Sequence, residues 1–152
     1  MIIINIKSHT HSAMKKLLCT TLLFFCALAH AENWQWVYDL LYSKSYYADE
    51  YTHVEHFADT GKPFVTTWER GVFHELADGV AEMRMFYYFD CAKERLANTA
   101  YVLYDQNNNI LYEEVEEAIT TSTDQRWEKL DRETIITPYF DHVCKAVAKR
   151  QY

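Results

Sequence analysis

The chain has 152 residues, 49% of them hydrophobic and 24% charged, and its 15 Lys/Arg against 22 Asp/Glu leave a net charge of −7. This mixture excludes a disordered chain, a collagen-like repeat and a multi-pass membrane protein, and the length suits one domain. Aromatic residues reach 16%, while there are only three Gly and two Pro.

Residues 1–31 differ from the rest. Met14-Lys15-Lys16 precedes an apolar run over 17–28, and Ala29-His30-Ala31 closes it with small residues at alternate positions. A basic segment, a short apolar segment and an A-x-A site, in that order, predict a secretory signal peptide cleaved after Ala31. The natural start is then Met14, with 1–13 an upstream extension. The apolar run is about a dozen residues, short of the ~20 that a spanning helix needs, so no membrane span is expected after cleavage. Cys19 follows Leu17-Leu18 and Cys26 follows Phe24-Phe25, which is not the small-residue setting of a lipid-anchored cysteine. An exported chain is expected, in the periplasm or at the cell surface.

Residues 32–152 are read as a single domain of 121 residues with a net charge of −10. Such an acidic chain, with no basic patch, is not expected to bind nucleic acid or anionic membrane. Of the four cysteines, Cys91 and Cys144 remain after cleavage. In an oxidising compartment one pair reads as one disulfide, with two free thiols as the alternative. Closing the loop between them would remove about 4 kcal/mol of unfolded-state entropy.

Alternation predicts a first strand over 34–38, a short extended piece at 46–49 and a strand over 51–57. Asp59-Thr60-Gly61-Lys62-Pro63 reads as a turn, and 64–70 returns to complete a hairpin. Residues 71–79 are read as a connection. The strand over 81–91 carries the clearest pattern. Ala81, Met83, Met85, Tyr87, Phe89 and Cys91 share an uncharged face, the expected core face, with Glu82, Arg84, Phe86, Tyr88 and Asp90 opposite. Met83 and Met85 read as packing residues. Strands over 96–105 and 110–115 flank an Asn-rich turn, residues 120–126 read as loop, and Trp127 and Leu130 lie in a short extended piece. Thr137 is placed as an N-cap with Pro138 at the first helical position. Phe140, Val143, Cys144 and Val147 then follow helical spacing. The expected fold is α+β: a mainly antiparallel sheet of about six strands, with a C-terminal helix linked to it through Cys91–Cys144.

Motifs for chemistry are sparse. His53 and His56, with His74, suggest a metal or haem ligand set, but residues three apart on a strand point to opposite faces. Glu113, Glu114, Glu116 and Glu117 cluster without a calcium-binding loop and read as a solvated strand end that discourages edge pairing. There is no G-x-S-x-G and no glycine-rich phosphate loop, and Ser43 and Ser45 near His53 mark no triad. No catalytic residue, metal or cofactor is expected. The 22 aromatic residues of 32–152 are more than one small core hides, which nominates Tyr46, Tyr47, Tyr51, Phe86 and Tyr88 as an exposed or half-exposed partner-binding face.

Tyr88-Phe89-Asp90-Cys91-Ala92, then Leu96 and Tyr104-Asp105, resembles the surface-adhesin protein E family of Gram-negative bacteria. So do the ending from Thr137-Pro138 to Val143-Cys144-Lys145 and the opening at Trp34-Gln35-Trp36-Val37-Tyr38 and Tyr46-Tyr47-Ala48-Asp49. The resemblance implies a small antiparallel sheet with a disulfide-held C-terminal helix, and binding of host extracellular-matrix or plasma proteins such as vitronectin, laminin and plasminogen. Some members dimerise, so a homodimer is a further expectation. The chain departs from the prototype in lacking a lipid-attachment motif, and in having only Arg84 where a basic stretch precedes the first cysteine. The functional expectation is an exported, non-enzymatic envelope protein that binds a protein partner. A periplasmic accessory or enzyme-inhibitor protein of the same fold is the alternative.

Overall fold

Alternating apolar and polar residues drive much of this chain into strands. A computed structural model describes residues 32–150. The expected leader, with its cleavage site, Met14, Cys19 and Cys26, lies outside the described residues. The elements are β1 (Gln35–Asp39), β2 (Ser43–Tyr47), a 3-10 turn (Asp49–Tyr51), β3 (His53–His56), β4 (Pro63–Ala77), β5 (Val80–Asp90), β6 (Arg95–Tyr104), β7 (Ile110–Val115), β8 (Glu128–Lys129) and a helix, α1 (Thr137–Arg150). The main path of the sheet is β1-β2-β4-β5-β6-β7, with β3 paired to β4 and β8 to β6. All of these pairings are antiparallel. The expected architecture is present, with six strands in the main path and two short ones beside it.

Residues 71–79 are not a connection. They continue β4 into a two-residue hairpin, in which Ala77 pairs with Val80 across Asp78 (φ 52°) and Gly79 (φ 83°). An Asp-Gly pair with both residues left-handed turns the chain with the twist that adjoining strands need. A register shift between Val72 and Ala77 breaks the alternation there and hides the strand from pattern reading. At the β6–β7 turn, the Asp105 carboxylate accepts hydrogen bonds from the Asn107 and Asn109 amides at 2.7 and 2.9 Å.

The uncharged face of β5 is a core face, as expected. Tyr87 and Phe89 lie under α1 with Tyr47, Val65 and Leu130, and the helix contributes Tyr139, Phe140, Val143 and Val147. Full burial of each such apolar side chain contributes about 1.5–3 kcal/mol. Cys144, on the same stripe, is bonded to Cys91, just past the end of β5. The N-cap reading of Thr137 fails. Its hydroxyl donates to the Asp131 carbonyl at 3.2 Å, and the Phe140 amide already donates to the Ile136 carbonyl at 2.9 Å. No helix among the described residues is long and apolar enough to cross a membrane.

Candidate functional site

With one sheet face under α1, the other is left for the remaining aromatic residues. Register places them. Tyr46 pairs with Arg70, Arg70 with Arg84, Trp68 with Phe86, and Thr66 with Tyr88. Paired residues share a face, so β2, β4 and β5 together project Tyr46, Trp68, Arg70, Arg84, Phe86 and Tyr88 away from the helix. β1 adds Trp36 opposite Tyr46.

An ion cluster lies at the centre of this face. Arg70 reaches one Glu82 carboxylate oxygen through Nε at 2.7 Å and Nη2 at 2.6 Å, and Arg84 Nε reaches the other at 2.7 Å. Glu82 is buried, at 6% exposure. Two guanidinium groups sharing one carboxylate leave a local charge of about +1 on an otherwise acidic chain. Both guanidiniums sit over aromatic rings. Trp34 lies 5.9 Å from Arg70 and 5.5 Å from Arg84, Tyr46 is 5.7 Å from Arg70, and Tyr104 is 5.2 Å from Arg84. Such stacking suits the planar, weakly hydrated guanidinium.

Two concavities flank the ridge formed by Trp68 and Phe86, whose rings are 5.0 Å apart. One, about 140 Å³, is lined by Trp34, Tyr51, Trp68, Arg84 and Tyr104. The other is an open groove of about 510 Å³. Phe64, Phe86 and Tyr88 line it, with His53, Glu55 and His56 from β3 and residues 118–120.

Of the nominated residues, Tyr46, Tyr51 and Phe86 are half-buried on this face. Tyr88 is on it too but is only 5% exposed. Phe64 stacks on its ring, and Trp127 from the segment after β7 meets it edge-on at 6.4 Å. The exposure expected of Tyr47 is not found. It points under α1 at 1% exposure, donates its hydroxyl to Asp49 at 2.5 Å and accepts from Arg150 Nη2 at 2.7 Å. It is a helix-anchoring residue. Sequence reasoning missed Trp34, Trp36, Trp68, Arg70 and Tyr104. Alternation along Phe64, Thr66, Trp68 and Arg70 was the available signal.

On the helix side, Glu69 lines a cavity of about 80 Å³ with Tyr38 and Ser45. Ser45 Oγ donates to the Glu69 carboxyl group at 2.5 Å and the Tyr38 hydroxyl at 3.1 Å. Burial pushes the Glu69 carboxyl above its usual range, against the opposing pull of these hydrogen bonds. Ser45 is thus committed to Glu69 under one face, while His53 pairs with Thr66 on the other. By register His53 and His56 alternate along β3, opposite Thr66 and Pro63, and both are exposed at the border of the open groove. Among the described residues no three His, Cys, Asp or Glu side chains are placed to hold a metal ion. The chain matches no protein-family model, no curated protein and no solved structure.

Proposed function

We propose that this chain is an exported, non-enzymatic envelope protein that binds a protein partner, as its resemblance to the surface-adhesin protein E family implies, and that it does so through the sheet face opposite α1. One observation carries the reading. Trp34, Trp36, Tyr46, Trp68, Phe86 and Tyr104 converge with Arg70 and Arg84 on one face, beside two concavities. Trp, Tyr and Arg are the side chains enriched among the residues that dominate protein-binding energy, Trp and Tyr for their large, rigid contact area and Arg for its planar, multiply donating guanidinium. Trp36, 58% exposed at the margin of the face, is the natural first contact.

The test has two parts. Protease shaving of intact cells, with a periplasmic marker as control, assigns the side of the outer membrane. Immobilised vitronectin, laminin and plasminogen are then presented to the protein and to its Trp36→Ala/Tyr46→Ala variant. The reading expects cleavage with the marker intact, and binding that the variant loses while keeping its Tm. Protection until the outer membrane is opened, with no binding, would sink the adhesin reading and turn the search to envelope partners.

A further inference from the structure

Among the described residues β7 ends the path of the sheet and hydrogen-bonds to β6 on one side only. All six of its residues are exposed. Ile110, Leu111, Tyr112 and Val115 are 57, 49, 47 and 66% exposed along an open ladder, with Tyr112 stacked on Tyr101 and its hydroxyl donating to Glu114 at 3.2 Å. Soluble proteins usually shield such an edge with charged side chains, Pro, a bulge or a covering segment, and here Glu113 and Glu114 discourage pairing with any strand that does not carry the opposite charge. β7 contains neither Lys nor Pro. Its register shift falls at the start, between the Leu103–Tyr112 and Tyr104–Ile110 pairs, and the ladder from Tyr112 to Val115 is regular.

We propose that the open edge of β7 takes up an extended segment of a protein partner as an added antiparallel strand, and that this segment carries two consecutive Lys or Arg residues between apolar ones. Glu113 pairs with Val102 and Glu114 with Tyr101, so the two carboxylates stand on opposite faces of the sheet. Their complements on a facing strand must also stand on opposite faces, which makes them neighbours in sequence. Leu111, Tyr112 and Val115 flank the glutamates and ask for apolar partners. The ion pairs of Arg126 on this side go to Glu116 and Asp124. Main-chain bonds would supply affinity and the side-chain pattern selectivity. A second copy fits poorly, because two-fold pairing puts four glutamates into one two-strand ladder. This surface is separate from the aromatic face and does not depend on it.

The test uses the purified protein and three labelled synthetic peptides with blocked ends. The first is Val-Lys-Lys-Tyr-Val-Leu. The second has Glu for both Lys, and the third keeps the first sequence but is N-methylated at alternate residues. The proposal expects saturable binding of the first peptide, about ten-fold weaker binding of the second, and loss of binding with the third. It also expects the Glu113→Lys/Glu114→Lys protein, folded by circular dichroism, to prefer the second peptide. Trp36→Ala should leave all three results unchanged, which separates a failure here from a failure of the aromatic-face reading. Undiminished binding of the N-methylated peptide would mean charge attraction without strand addition and would overturn the proposal. So would absence of binding by the first peptide, or sedimentation as a dimer that Glu113→Lys/Glu114→Lys alters.

Discussion

The Tyr139 hydroxyl donates to the main-chain carbonyl of Trp68 at 2.7 Å. That carbonyl lies where β4 changes neighbours, because the β3 pairing ends at Thr66 and the β2 pairing begins at Glu69. Thr67, in the same gap, has its hydroxyl 2.8 Å from that of Thr52 and 3.3 Å from that of Tyr139. The helix therefore satisfies polar groups that the sheet leaves over, as buried backbone requires.

Tyr139→Phe should destabilise the fold by about 1–3 kcal/mol, the usual cost of leaving a buried acceptor unsatisfied. Urea unfolding with an unchanged m-value is the measurement. A cost near zero would mean that water or Thr67 replaces the hydroxyl.

Cys91 and Cys144, 53 residues apart with Cα atoms 5.8 Å from each other, bind the helix to the sheet. Thiol labelling of denatured, unreduced protein should find neither residue free. Reduction, or Cys91→Ser with Cys144→Ser, should cost up to about 4 kcal/mol by loop-closure entropy. A labelled Cys91 or Cys144 in the native preparation would contradict the bridge.

Glu69 should tie stability to pH. Its folded-state pKa is raised above the unfolded value, so the folded protein holds a proton that the unfolded chain has already released. That contribution is complete below the ordinary Glu range and is lost as pH rises through the raised folded value. Asp49, Asp59, Asp105 and Asp124 are held low by hydrogen bonds and act in the opposite sense, with stability lost as pH falls. The difference between wild type and Glu69→Gln in denaturation midpoint, followed from pH 4 to 8, isolates the first effect. It should shift against the wild type as pH rises, and a flat difference would rule the effect out.

Glu82→Gln should destabilise by about 3 kcal/mol, because Arg70 and Arg84 both lose their shared carboxylate in a half-buried setting. Arg84→Gln should cost less, since Arg70 still neutralises Glu82. Urea denaturation of the two variants gives the order, and equal costs would mean that the carboxylate is not the centre of the cluster.

Local chemistry made much of the scaffold readable. Two-residue alternation over 81–91 assigned the core face of β5, and helical spacing of Phe140, Val143, Cys144 and Val147 placed the stripe that docks on it. Both are periodicities set by backbone geometry within one element. The 71–77 part of β4 was unreadable because a register shift interrupts that period. Placement of the aromatic residues was decided only in three dimensions. Tyr46 and Tyr47 are neighbours of one chemical type, yet the pairing of β2 with β4 sends one to the arginine cluster and the other beneath α1. Tyr88 matches Phe86 in position and alternation, but Trp127 packs against its ring from far along the chain. Burial of an aromatic side chain depends on register and on what comes to lie across it, and both are contacts between segments that no single segment encodes.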